Sequence, residues 1–285
     1  MIALWRKSIS EARWLLLGSL TLMFAFHLMF IWLISQVSLG NLKMILSLLP
    51  PMTERLSSVP LAQVATSAGR IAVAYDHPVV MLLVTVWAIS RGSDAVSGPL
   101  GRGTLEMVLA QPVTRAGVLG VHSLSAILGA AVLCLAGWLG TWVGVRVLTL
   151  EEPVAAEVFV PAALNLFALT VFLLGLTTLA SSWDSTRSRT IGVVGAFYAV
   201  EMIVKIIGRG APGWEWMNYL SFFTPFEPQR LVGNPATAWQ LSSTTRGGSF
   251  ELGGLGYDAV LIVLGLVCFL AAAVIFSRRD LPAPL

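Results

Sequence analysis

The chain has 285 residues, 56% of them hydrophobic and only 12% charged, with a formal net charge of +3. So little charge excludes a soluble globular protein and makes the fold class an all-α integral membrane protein. Cys134 and Cys268 lie in separate apolar runs, and His27, His77 and His122 lie in three different ones, so neither a redox pair nor a metal site has its spacing.

In chain order, residues 1–13 come first. Ile2, Trp5, Ile9 and Ala12 recur at spacings of three and four, with Arg6, Lys7, Ser10, Glu11 and Arg13 elsewhere on the wheel. That pattern predicts a helix lying in the membrane interface, with a basic start to the first span as the alternative. Residues 14–37 are uncharged and long enough to cross a bilayer. The uncharged run goes on to Asn41, beyond the apolar core of a signal peptide, so the segment is expected to be retained. Residues 38–69 carry Pro50, Pro51 and Pro60 and are expected to form short helices on the outer face.

The second span is expected at 71–90, with Asp76, His77 and Pro78 near its outer end, and the third at 117–145, where Gly140 and Gly144 permit close packing. Glu151, Glu152 and Glu157 make an acidic outer loop before a fourth span at 159–181. A short basic turn, 182–189, leads to a fifth at 190–207. The outer loop 208–257 is rich in Gly, Pro and aromatic residues, and the sixth span, 258–277, stops at Arg278-Arg279. Residues 1–285 are thus expected to form a single transmembrane domain. An ionisable residue inside a span marks either a substrate path or a structural pair. Asp76 lies close enough to the outer surface to reach water, while Glu201 and Lys205, four residues apart, read as a structural ion pair.

Six spans put both termini on one side. Arg6, Lys7, Arg13, Arg91, Arg102, Arg115, Arg187, Arg189, Arg278 and Arg279 fall on that side in short segments. The remaining basic residues lie in much longer segments opposite. Cationic flanks are retained in the cytoplasm, which predicts a multi-pass inner-membrane protein with both termini inside.

The loop 91–115 then becomes the informative segment. Pro99 and Pro112 bracket a stretch in which Leu105, Val108 and Leu109 share one helical face, with Arg102, Glu106 and Gln111 supplying charge and hydrogen bonds. A helix this short is marginal alone and needs a membrane surface or a protein groove.

Ser97-Gly98, Arg102-Gly103-Thr104-Leu105-Glu106, Leu109 and Pro112-Val113-Thr114-Arg115 resemble the loop between spans two and three of the second-type permeases of ABC transporters. Tyr219-Leu-Ser-Phe-Phe-Thr-Pro225 is similar to that family's aromatic segment before the last span. The sequence departs from the family at Pro99, where members often carry Glu. The resemblance implies a cytoplasmic coupling helix docked into a separate ABC ATPase subunit. It puts Gly101, Arg102, Gly103, Thr104, Leu105, Glu106 and Leu109 at that contact, with Leu105 and Leu109 as apolar knobs and Arg102 and Glu106 as polar partners. It also implies that Trp5, Arg6, Lys7, Ile9 and Arg13 lie on the inner leaflet. A second permease copy or a sister permease would complete an exporter, ATP and Mg being bound by the ATPase and no cofactor by this chain.

The chain has three lysines, Lys7, Lys43 and Lys205, none in a G-x-x-x-x-G-K-[ST] loop, so it cannot hydrolyse ATP itself. No H-E-x-x-H or G-x-S-x-G supports a membrane-embedded enzyme, and no catalytic residue is assigned. Nothing points to nucleic acid. An ion- or proton-coupled secondary transporter is the alternative, disfavoured because no repeat links the two three-span halves and the intraspan charges sit off the midplane.

Overall fold

The structure, a computed structural model, describes residues 2–38, 40, 44, 48, 59–244 and 250–280. Among them are six helices long and apolar enough to cross a membrane. The first, α1 (Ile2–Ser35), is unbroken. At 1.5 Å per residue it is about 50 Å long, well beyond the roughly 30 Å of a hydrocarbon core. The predicted interfacial helix is therefore corrected: residues 2–13 are the first turns of α1, because no Pro or Gly interrupts them before Trp14. Ser8 and Ala12 are buried, while Ile2 and Ile9 point outward.

Most of the 38–69 segment expected to form short helices lies outside the described residues. Its described end has α2 (Leu61–Val64) and α3 (Ser67–Ala72), the latter capped by the Thr66 hydroxyl, which accepts from Gly69 N at 3.0 Å. One 3₁₀ turn, Val73–Asp76, joins α3 to α4 (Pro78–Ser93). Pro78 starts α4 because its missing N–H costs nothing in a first helical turn. The loop then folds into α5 (Ser97–Gly101) and α6 (Leu105–Leu109), followed by α7 (Arg115–Val147). The long helices α8 (Val160–Trp183) and α9 (Arg187–Gly210) meet at a tight turn. Two short helices, α10 (Pro228–Gly233) and α11 (Pro235–Ala238), precede a two-stranded antiparallel ribbon, Ser242–Thr244 with Phe250–Leu252. The last helix is α12 (Gly254–Arg278).

The bundle is built around α8. Of its most apolar window 78% is buried, against 11% for α9 and 22% for α12. In lipid, apolar side chains gain little by leaving hydrocarbon, so close packing decides which helices associate. Gly175 of α8 meets Gly265 of α12 so closely that a Cβ at Gly175 would lie 2.4 Å from the Gly265 carbonyl oxygen. Similarly, a Cβ at Gly140 of α7 would lie 2.5 Å from Phe24 O of α1. Trp87 of α4 fills the remaining space, its indole donating to Ala126 O of α7 at 3.0 Å.

Contacts bring Ser8, Arg91, the 94–114 loop, the 184–187 turn and Phe276–Arg279 to one end of the bundle. Both described chain ends therefore lie at this loop end. The 211–244 segment lies at the far end with Asp76.

Candidate functional site

The loop end is assembled from the last turn of α4. Gly92 lies against Thr177 of α8, where a Cβ would be 2.5 Å from the threonine Cβ, and this lets the two helices touch. Beyond Ser93 the chain leaves α4, and the first amides of α5 need acceptors that Val96, as N-cap, cannot supply. Ser181 of α8 supplies them: its hydroxyl oxygen accepts from Val96 N at 3.2 Å and Ser97 N at 2.9 Å. Thr190 of α9 adds a 3.0 Å contact to the Ser97 hydroxyl. The start of the loop is thus pinned to α8 and α9.

Asp94 is the charge centre of this end. Its Oδ1 accepts from Arg102 Nη2 at 2.9 Å and lies 3.7 Å from Arg187 Nη1, while Oδ2 lies 3.8 Å from Arg91 Nη1. One carboxylate, 8% exposed, therefore faces three guanidiniums from α4, the loop and the base of α9. Arg91 also donates to the Ser8 hydroxyl of α1 at 3.0 Å. Nε2 of His122 lies 2.7 Å from the Arg91 carbonyl, to which it donates as the Nε2–H tautomer, and this makes His122 a polar anchor between α7 and α4.

Two short helices replace the single proline-bracketed one expected. Pro99 is the third residue of α5, in a first turn where no N–H is required, and so does not act as a bracket. Gly103, at φ +67°, makes the turn between α5 and α6, a conformation that costs a residue with a Cβ. The Thr104 hydroxyl donates back to Pro99 O at 3.3 Å.

The apolar face of α6 points inward. Leu105 is 1% exposed and packs with Ala95, Val96, Leu119, Ala272 and Phe276, and half-buried Leu109 joins the same cluster. The expectation that Leu105 and Leu109 stand out as surface knobs is therefore corrected: a five-residue helix has one apolar face, and the bundle takes it. The outward residues are Gly101, Arg102, Gly103 and Met107, the last 64% exposed, with Glu106 half-buried at the edge. Behind the loop, a small cleft of about 50 Å³ is lined by Lys7, Glu11, Asp94, Leu105 and His122.

On the first turns of α1, Arg6, Lys7, Ile9 and Arg13 are exposed and Trp5 is half-buried, and Lys7 and Glu11 pair at 3.9 Å.

The far end holds the remaining candidates. Glu201 and Lys205 do not pair with each other. Glu201 Oε2 accepts from Phe222 N at 3.2 Å, and Lys205 Nζ donates to the carbonyls of Phe223 and Phe226 at 3.1 and 3.0 Å and lies 3.9 Å from Glu227. The 221–227 segment folds over the end of α9 and offers acceptors closer than the next helical turn. Arg209 pairs with Glu227. Asp76 accepts from Gln229 at 2.8 and 3.0 Å and lines a cavity of about 350 Å³ with Lys205, Arg209, Met202 and Phe226. Asn165 of α8 ties this segment down, donating to Asp258 Oδ1 at 2.8 Å and accepting from Glu227 N at 2.9 Å.

Asp94, Ser181 and Glu227 were not anticipated, and Arg187 was read only as a basic flank. Asp94 had a signal, being the sole acid between Asp76 and Glu106 and three residues beyond Arg91. The others are joined to their partners only by tertiary packing. Among the described residues, no group of three His, Cys, Asp or Glu side chains could hold a metal ion.

A search among curated proteins finds no significant match. The sequence model of the family described as "ABC-2 family transporter protein" matches residues 5–281, nearly the whole length, and so includes all six long helices and the paired loop helices. The chain belongs to the ABC-2 transporter permease family, as a membrane component of transport that is not itself catalytic.

Proposed function

We propose that this permease serves an exporter, in which ATP hydrolysis by a separate ABC ATPase drives substrate across the inner membrane. Two copies of the chain, or this chain and a sister permease, would form the pathway, and ATP and Mg would be bound by the ATPase alone. The loop end would face the cytoplasm with both termini. This orientation is supported by the exposed cations gathered there, Arg6, Lys7, Arg13, Arg189 and Arg278 among them. The first turns of α1 would cross the inner headgroups, with Ile2 and Ile9 toward lipid.

One observation carries the docking assignment. The α5–α6 pair presents Arg102, Gly103 and Met107 outward while Asp94 and the Leu105 cluster hold it from behind. A surface backed in this way can transmit a push, which a loose loop would absorb. Met107 replaces Leu105 and Leu109 as the apolar anchor for a partner groove, with Arg102 and Glu106 as polar neighbours. The ATPase would then bias the permease between inward- and outward-open arrangements.

The test is co-purification of the tagged chain with the ATPase encoded beside it. Met107→Asp is expected to release the ATPase while leaving the permease monodisperse. ATPase recovery equal to wild type from that variant would sink the assignment.

A further inference from the structure

The long helices differ in how firmly they are held. α8 and α12 meet backbone to backbone at Gly175 and Gly265, and α1 and α7 do the same at Gly140 and Phe24. α9 is unlike them. Val193, Val200 and Ile203 along its length face away from the bundle, Phe197 and Tyr198 pack against Phe222 and Phe223, and of its residues only Thr190, Val194 and Gly208 are buried.

Its polar ties gather in its first turn and from Glu201 onward. At the far end these are Glu201, Lys205 and Arg209, all to the 218–227 segment. At the loop end its first residue, Arg187, donates to the Ser93 hydroxyl at 3.2 Å and to Ser90 O at 3.3 Å and faces Asp94, and Thr190 contacts Ser97. Every one of these loop-end partners belongs to the segment between the end of α4 and the start of α5. Asp94 Oδ1 is shared by Arg187 and by Arg102, the outward arginine of the loop. A displacement of Arg102 therefore reaches Arg187 at the base of α9 through Asp94 Oδ1, beside the Thr190–Ser97 contact. Along the middle of that helix the buried side chain is Val194, with Phe197 and Tyr198 set against Phe222 and Phe223.

We propose that α9 is the helix moved by the α5–α6 loop, and that Asp94 is the positioning residue that joins them, with α8 and α12 as the stationary frame. This rests on the docking reading above and deepens it. Asp94 touches neither nucleotide nor substrate in this scheme. It sets whether motion at the loop becomes motion of α9.

The experiment uses the permease–ATPase complex in lipid nanodiscs, with Cys134 and Cys268 replaced by alanine. An environment-sensitive fluorophore is placed at Ile203→Cys on α9 or at Leu270→Cys on α12, and ATP with vanadate traps the ADP–vanadate transition-state complex of the ATPase. The expected result is an ATP-dependent shift at 203 and none at 270. In complexes that assemble, Asp94→Asn should abolish the shift at 203, and Asp94→Glu should restore it.

Arg187→Gln cuts only the α9 side of the joint and leaves Arg91 and Arg102 paired. It should reproduce the loss even if Asp94→Asn fails to fold. An intact complex whose 203 probe still shifts in Arg187→Gln, or whose 270 probe shifts as far as 203, would overturn the joint while leaving the docking reading standing. Failure of the wild-type chain to carry any ATPase would overturn the docking reading, and the joint with it.

Discussion

The two ends of the bundle carry ionic clusters of opposite design. At the far end Glu227 pairs with Lys205 and Arg209, whose side chains are 13% and 20% exposed, and Asp76 lines the same cavity. Two acids and two bases close on one another there. At the loop end a single buried carboxylate, Asp94, faces three arginines, two of them, Arg102 and Arg187, 48% and 38% exposed. The first arrangement is self-sufficient and holds a segment in place. The second leaves cationic charge at the surface and makes three elements depend on one group.

This difference can be sharpened by mutation. The largest loss of stability is expected from Glu227→Ala, which strands two poorly exposed cations and should cost about 3–5 kcal/mol, read as a lowered unfolding temperature in detergent. Next comes Gly175→Leu, whose side chain would collide with the Gly265 backbone and should cost about 1–3 kcal/mol or more in the same assay. Met107→Asp should leave stability within about 0.5 kcal/mol of wild type, as exposed positions do, yet should lose the ATPase. Leu105→Asp does the reverse, placing an unpaired charge in the Phe276 cluster, and should be recovered poorly whether or not the ATPase is present. Smallest of all is Arg189→Gln, which removes a largely exposed pair with Asp184 and should change stability by about 0.5 kcal/mol or less.

Long apolar runs made the spanning helices legible, because no other backbone arrangement satisfies itself over such a length in lipid. Their ends were less so, since α1 continues through Trp14 with no stop signal and α9 gains a turn at each end. In the loop, Gly101, Arg102 and Gly103 face outward, while the apolar face of α6 lies against the bundle. Periodicity grouped Leu105 with Leu109 correctly and could not say whether bundle or partner would cover them. Leu119 and Phe276, which do so, are distant in sequence. Glu201 and Lys205 failed as a pair for a related reason. Spacing of four permits a contact, but the Phe223 and Phe226 carbonyls, set over α9 by the far-end fold, are nearer acceptors.

The central claim is that the ATPase meets the outward face of α6 at the end of the bundle opposite Trp239. The direct measurement is site-specific photo-crosslinking in membranes from a probe replacing Met107 and, separately, one replacing exposed Trp239. The account predicts an adduct with the ATPase from position 107 and none from 239. An adduct from 239, or none from 107 in a complex that still co-purifies, would contradict it.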